Sequence, residues 1–205
     1  MKKFLLAVAV IATTLCAQAQ QAVGSFSVKP MAGINLATLT NTDGSSLRVG
    51  FTGGAELQYQ FNGVLAFSGG LLYSQQGCKV DGDDADGSLR MDYVNVPLLA
   101  NFYVAKGFAL KLGLQPGFKV NSKIHASADG ASADVDLEKA LEAAGASSVS
   151  VPSVVLSIPV GFSYEYKNVV FDARYNWGVT NAVKAESESW KHSVFTFTLG
   201  YRFAL

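Results

Sequence analysis

Apolar and polar residues alternate one by one along most of this chain. In residues 169–180, Phe171, Tyr175 and Trp177 fall on one face. Asp172 and Arg174 fall on the other face. A period of two is the spacing of a β-strand and not of a helix. This segment is therefore predicted to be a strand with one apolar and one polar face.

The same pattern recurs in eight segments, at residues 26–37, 47–61, 64–76, 89–104, 108–120, 154–166, 169–180 and 193–203. The connections between them alternate between short turns, at 62–63, 105–107 and 167–168, and long polar loops, at 38–46, 77–88, 121–153 and 181–192. Outer-membrane barrels have an even number of strands, short periplasmic turns and long external loops. The sequence therefore predicts an all-β fold, an eight-stranded antiparallel up-and-down transmembrane β-barrel.

The narrow interior of an eight-stranded barrel decides which face points inward. The bulky Phe, Tyr, Trp and Leu side chains lie on the apolar face. Most strand glycines lie on the polar face, at Gly33, Gly50, Gly54, Gly70, Gly113, Gly117, Gly161, Gly178 and Gly200. A soluble barrel would expose these glycines to water, where they only weaken the strands. We therefore expect the polar face to line the lumen and the apolar face to contact lipid.

Aromatic residues cluster near the predicted strand ends. Girdles of aromatic side chains are typical of the two membrane interfaces of such barrels. The predicted periplasmic girdle contains Tyr59, Phe61, Phe102, Tyr103, Tyr164, Tyr166, Tyr201 and Phe203. The predicted outer girdle contains Tyr73, Tyr175 and Trp177.

The composition supports a membrane location. Charged residues make up 16% of the chain, against roughly 25% in soluble proteins, and mean hydropathy is +0.23. A secreted chain without a long apolar helix crosses a membrane only as a closed barrel, because every backbone polar group must be paired. The 16 basic and 16 acidic residues form no basic patch, which argues against a nucleic-acid partner.

The N-terminus has the pattern of a secretory signal peptide. Lys2 and Lys3 precede an apolar run at 4–12, and Ala-Gln-Ala at 17–19 provides a small-x-small cleavage site. The run is too short to span a bilayer. We predict a signal peptide at 1–19, a barrel domain at 20–205 and location in the cell outer membrane. Cleavage would leave Cys78 as the only thiol, expected to be inert and near a strand end.

Three short motifs carry a family resemblance: GINL at 33–36, YVNVPLL at 93–99 and ARYNWGVTN at 173–181. In this order and spacing the chain resembles the small outer-membrane β-barrel proteins called porin family or PorT-like. The last strand, with Tyr201 and Phe203, also resembles the assembly signal of outer-membrane proteins. The resemblance implies a role at the cell envelope, such as assembly of a secretion machine.

Charged residues on the predicted inward face form the main candidate site: Lys29, Arg48, Glu56, Lys111, Lys119, Glu165, Asp172, Arg174 and Arg202. Buried charges must be paired, so we expect Glu56, Glu165 and Asp172 to bridge to the basic residues. The set is either the selectivity lining of a pore or a salt-bridged plug. The plug is favoured, because porins with open channels have about sixteen strands.

Two long loops carry further candidates. The acidic cluster Asp81, Asp83, Asp84 and Asp86 is a loose calcium site or, more simply, a solvated loop. It lacks the EF-hand pattern, because Ala85 stands where the third ligand belongs. The longest loop is predicted to hold a short helix at 134–144 that ends at glycine.

His125 and Ser127 are the one pair with the pattern of an enzyme. Their spacing resembles that of outer-membrane lipid A deacylases, in which His activates a nucleophilic Ser. If the fifth strand continues, both residues share the inward face with Lys119, whereas an acyl chain would arrive from lipid. We therefore predict no catalysis here, and we expect His192 to be a rim residue without a partner.

The sequence thus predicts a non-enzymatic outer-membrane barrel with no cofactor and no metal. The expected partners are outer-membrane lipid and an envelope protein that contacts the external loops. A small-solute channel is the alternative function, and a lipid-modifying enzyme is the third.

Overall fold

The computed structural model describes residues 22–40, 45–81, 86–128, 131–136, 152–184 and 189–205. These residues are almost entirely β-structure. Among them there is no helix with the length and hydropathy of a membrane-spanning segment.

The described residues form strands that we number in chain order. They are β1 (Phe26–Thr40), β2 (Ser45–Ser46), β3 (Arg48–Gln60), β4 (Leu65–Asp81), β5 (Asp86–Asn95), β6 (Leu98–Ala105), β7 (Phe108–Ala128), β8 (Ala131–Asp136), β9 (Val154–Tyr166), β10 (Val169–Lys184), β11 (Ser189–Tyr201) and β12 (Phe203–Ala204). Two pairs act as single barrel strands. β5 and β6 are separated only at 96–97, and β11 and β12 only at Arg202.

The sheet closes on itself and gives the predicted eight-stranded antiparallel barrel. Around the barrel the strands run β1, β3, β4, β5 with β6, β7, β9, β10 and β11 with β12. The closing seam joins β1 to β11 and β12, with Met31 opposite Gly200. Neighbouring strands are consecutive in the sequence except at this seam, so the up-and-down topology is confirmed.

Tight turns connect the strands at the periplasmic end. Lys167 and Asn168 both have positive φ, 46° and 71°, as the two central residues of a type I′ hairpin require. Gly107 also has a positive φ of 80° in the turn between β6 and β7. The three short turns predicted from the sequence are therefore present.

The segments predicted as long loops are partly strands. β1, β4, β7 and β10 all continue past their predicted ends, and the β4–β5 ladder extends to Asp81 opposite Asp86. The predicted helix at 134–144 is wrong at its start, because residues 134–136 belong to β8, which pairs with β7. Residues 137–144 lie outside the described part of the chain. The prediction failed because polar strands outside the membrane lack an apolar face.

Inward glycines allow the strands to curve tightly. A Cβ atom on Gly33 would lie 1.9 Å from the carbonyl oxygen of Phe197. On Gly54 and Gly113 it would lie 2.0 Å from the carbonyl oxygens of Leu71 and Leu98. These backbone contacts leave no room for any side chain, so the lumen wall at these points requires glycine.

Candidate functional site

The middle of the lumen is crossed by five charged side chains from four strands. We call Lys29, Glu56, Lys111, Asp172 and Arg174 the central ion cluster. Each is at most 4% exposed. Lys29 on β1 is directly opposite Glu56 on β3. The other three belong to β7 and β10, which are separated by β9, so the cluster spans the interior.

Each carboxylate of the cluster contacts all three cations. Glu56 Oε1 lies 2.7 Å from Arg174 Nη1, and Glu56 Oε2 lies 2.9 Å from Lys29 Nζ and 3.8 Å from Lys111 Nζ. Asp172 Oδ1 lies 2.6 Å from Arg174 Nε, and Oδ2 lies 3.7 Å from Lys29 Nζ. Lys111 donates a hydrogen bond to Asp172. Such multiple pairing is what buried charges need to offset desolvation.

Glycines leave the space that these long side chains occupy. Gly161 on β9 lies between Lys111 and Arg174 in the ladder and pairs with both. A Cβ there would lie 2.8 Å from Arg174 Cγ. Gly70 likewise lies opposite Glu56, and its Cβ would lie 2.8 Å from Glu56 Cγ. The lumen is therefore filled by charge where its wall has no side chains.

A second ion pair lies at the periplasmic end of the lumen. Arg202 Nη1 is 2.7 Å from Glu165 Oε2. Arg202 Nη2 also donates to Tyr103 Oη at 3.3 Å, and Gln58 donates to the same oxygen at 2.8 Å. Arg202 thus ties the break between β11 and β12 to the opposite wall.

The remaining two predicted lumen charges lie toward the outer end. Arg48 is half-buried on β3 and donates a hydrogen bond to the backbone carbonyl of Gln76. Lys119 is half-buried on β7 and lies opposite Tyr93 in the β5–β7 ladder. Seven of the nine predicted charges therefore meet in two groups. Arg48 and Lys119 belong to neither group and lie nearer the outer end of the lumen than the central ion cluster.

Above the cluster, neutral side chains form a hydrogen-bonded chain around the wall. Asn176 donates to Thr196 at 2.9 Å, and Thr196 donates to Asn35 at 2.8 Å. Asn35 and Gln76 both donate to Ser74, at 2.9 and 3.0 Å. We call these five residues the amide network. Glutamine and asparagine make this level of the lumen polar without adding charge.

A small cavity adjoins the amide network and has room for about one water molecule. Its lining includes Asn95, Gln115, Asn176 and His192. Asn176 Oδ1 and His192 Nδ1 are buried and have no hydrogen-bond partner among the described residues. Both are therefore available to a water molecule in the cavity.

His192 is not the unpartnered rim residue that the sequence predicted. It is 4% exposed, and its Nε2 lies 3.1 Å from Tyr93 Oη. The two rings meet edge to face, with centroids 5.2 Å apart. Tyr93 belongs to β5 and His192 to β11, which are not neighbouring strands. The contact therefore crosses the lumen above the amide network, and no local sequence pattern marks it.

The outer wall of the barrel is apolar and rich in aromatic residues. Ten of the eleven residues of the predicted girdles point outward. The prediction is wrong for Tyr103, whose hydroxyl accepts hydrogen bonds from Gln58 and Arg202 inside the lumen. Eight of the ten are at least 36% exposed, namely Phe61, Tyr73, Phe102, Tyr164, Tyr166, Trp177, Tyr201 and Phe203. Tyr59 and Tyr175 are half-buried, because each packs against a neighbouring ring, Phe26 and Phe195 respectively.

The sequence argument against catalysis, that His125 and Ser127 share the inward face with Lys119, does not hold. β7 does continue through His125 and Ser127, but a bulge near residue 120 shifts the register. Ser122 is buried and Lys123 exposed after it, so residues 125 and 127 are in phase with Lys123 and not with Lys119. Their side chains lie outside what the structure describes.

The acidic loop falls largely outside the described residues, which exclude Asp83 and Asp84. Within the described part of the chain, no three His, Cys, Asp or Glu side chains are grouped to hold a metal ion. Cys78 is buried near the end of β4, and burial raises the pKa of its thiol. A raised pKa lowers the thiolate fraction and hence the reactivity.

A closed barrel with a polar interior and an aromatic-rimmed apolar wall defines a transmembrane β-barrel. Comparison with protein-family models matches residues 17–184 to the outer membrane protein beta-barrel domain. The chain belongs to this family and is an outer-membrane protein. A search of curated protein sequences gives no significant match.

Solved structures of small outer-membrane barrels are similar to this chain in fold. Ail of Yersinia pestis, in complex with the heparin analogue sucrose octasulfate, is 19% identical with a TM-score of 0.51, covering 88% of this chain and 100% of that one. Neisserial surface protein A is 17% identical with a TM-score of 0.47, covering 87% and 97%. OprG of Pseudomonas aeruginosa is 15% identical with a TM-score of 0.42, covering 88% and 96%.

Proposed function

We propose that this protein has a non-enzymatic, structural or interaction role at the cell envelope, exerted through its outer strands and loops. The observation that carries the proposal is the β-structure beyond the outer aromatic residues. Past Tyr73 and Trp177, the β4–β5 and β10–β11 ladders continue to Asp81 and Lys184. Paired strands hold a fixed polar surface, and such a surface suits recognition of a partner better than a flexible loop.

The filled lumen supports the same proposal. The central ion cluster and the His192–Tyr93 contact both cross the interior. An interior occupied in this way leaves the outer surface as the part of the molecule that can meet other molecules. The finer proposal, a PorT-like role in assembling a secretion machine, names one kind of partner for this surface.

Crosslinking in intact outer membranes tests the interaction role. We expect a photoreactive amino acid in place of Lys123, which is exposed on the outer part of β7, to give one discrete adduct with an envelope protein. The same replacement at Lys167, exposed in a periplasmic turn, is the matched control and should give no such adduct. Identical adduct patterns at Lys123 and Lys167 would contradict the proposal. So would the absence of any protein adduct both at Lys123 and at the other exposed positions of the outer strands.

A small-solute channel is the second candidate, favoured by the amide-lined cavity above the ion cluster. We expect the purified barrel to leave planar bilayers closed, because the cluster crosses the lumen and eight strands enclose little more than side chains. An open sixteen-stranded porin is the positive control. Stepwise conductance from this barrel would replace the interaction role with transport.

A further inference from the structure

The lipid-facing wall has an indentation between β3 and β7. A groove of about 580 Å³ lies on its surface, lined almost entirely by apolar groups. Its floor is formed by the small residues Gly69 and Ala100, whereas the flanking outward positions of the same two strands carry Phe or Leu. Leu57 and Leu98 flank Gly69 in the ladder, and Leu112 lies beside Ala100.

A break in the wall accompanies the groove. The barrel strand formed by β5 and β6 is interrupted at Pro97, which has no N–H group to donate. The carbonyl of Pro97 accepts from Gly70 N at 3.1 Å, and Val96 N donates to the carbonyl of Pro116 at 2.8 Å. The break is therefore held in place by hydrogen bonds on both sides, so the groove beside it is a fixed feature of the wall.

The groove extends from about the middle of the membrane-spanning wall toward its periplasmic end, where Phe26 and Tyr59 line it. Ala100 is five residues from the end of β6, and a spanning strand has about 9–11 residues. Lys106, exposed in the following turn, lies about 14 Å nearer the periplasm for a strand tilted by about 45°. That is about half the thickness of the hydrocarbon core. The ammonium group is therefore at the depth of the lipid headgroups of the periplasmic leaflet.

We propose that the groove binds one acyl chain of a phospholipid of the periplasmic leaflet, with the phosphate near Lys106. A flexible chain can follow a concave apolar floor along its length. A second barrel would present a convex wall, which would rest on Leu57 and Leu98 at the rim and leave the floor unfilled. The ammonium group of Lys106 lies at headgroup depth and complements the negative charge of the phosphate.

Lipid retention by the purified barrel tests this site. Protein extracted from outer membranes in mild detergent should keep one phospholipid per barrel, seen by native mass spectrometry and phosphate assay. Gly69→Leu should retain about tenfold less, because filling the floor removes the burial of about two methylene groups. A Cβ at Gly69 would lie 3.4 Å from Leu98 Cδ2 and 3.8 Å from the carbonyl oxygen of Pro97, so the first atom of the new side chain meets no backbone clash.

Ala32→Leu is the matched control, because Ala32 is a small, exposed residue of β1 outside the groove, and it should retain lipid like the wild type. Heat-dependent gel mobility verifies folding, and Ala100→Leu replaces Gly69→Leu if that variant does not fold. Lys106→Gln should also reduce retention. An equal amount of phospholipid per barrel in the wild type, Gly69→Leu and Ala100→Leu would overturn the proposal. So would a wild-type dimer that Gly69→Leu converts to monomer, since the occupant would then be a second copy.

Discussion

Replacing Gly33 by Ala is expected to destabilise the closed barrel by more than about 3 kcal/mol. Gly33 lies at the closing seam between β1 and β11, opposite Thr198. The new Cβ would lie 1.9 Å from the carbonyl oxygen of Phe197 and 2.7 Å from the Cα of Thr198. Both are backbone atoms, so the strands themselves must move apart. The free energy of unfolding from lipid vesicles in urea measures the effect.

The matched control is Gly69→Ala, on the lipid-facing side of β4. Its Cβ would lie 3.4 Å from Leu98 Cδ2 and 3.8 Å from the carbonyl oxygen of Pro97, both ordinary van der Waals contacts. We expect a change within about 0.5 kcal/mol, as for a surface substitution. If Gly33→Ala and Gly69→Ala change the free energy of unfolding equally, the tight curvature of the inner wall does not limit which residues it accepts.

Glu56→Gln is expected to lower the free energy of unfolding by about 3–5 kcal/mol, the penalty for removing one partner of a buried ion pair. Three cations would then share the single carboxylate of Asp172. The amide keeps the shape of the side chain, so the loss measures charge and not packing. Urea unfolding in lipid vesicles again provides the measurement.

Two variants separate this effect from a general loss of polar contacts. Glu165→Gln breaks the Arg202 pair at the more exposed periplasmic end, where Glu165 is 12% exposed, and should cost less. Adding Lys29→Gln to Glu56→Gln should recover part of the loss, because it restores the original excess of one positive charge. An additive loss in the double variant would show that Lys29 and Glu56 are not coupled.

The sequence was sufficient for the architecture because one physical constraint acts at every strand. Each segment that crosses the membrane must present lipid on one face and a narrow lumen on the other. The resulting period of two marks residues 169–180 as clearly as any segment. The positions of the glycines then settle which face is inward, since only a tight interior favours them.

Contacts across the lumen were predictable only in part. Lys29 and Glu56 are direct cross-strand neighbours, and any register that places both inward brings them close. Lys111 and Asp172 come from β7 and β10, so their contact depends on the stagger of the strands between them. No single segment encodes that stagger. The sequence therefore predicts a set of inward charges but not which of them meet.

The errors share a physical cause. Above the membrane, neither lipid nor a crowded lumen dictates an alternating pattern, so strands such as Ala131–Asp136 look like loops. The partner of His192 lies 99 residues away on a strand that is not its neighbour. The bulge near residue 120 reverses the faces of β7 without any proline or glycine to mark it. Local pattern carries none of this information.

The closing seam has a consequence for how the molecule is made. β1 cannot complete its hydrogen bonds until β11 and β12 are present, and more than 140 residues separate β1 from these strands. Contacts between such distant parts of a chain form slowly, because the intervening chain must first lose its freedom. Until then both edges of the growing sheet have unpaired backbone groups, which invite aggregation. We therefore expect the chain to need shielding, as by a holding chaperone, until this seam closes.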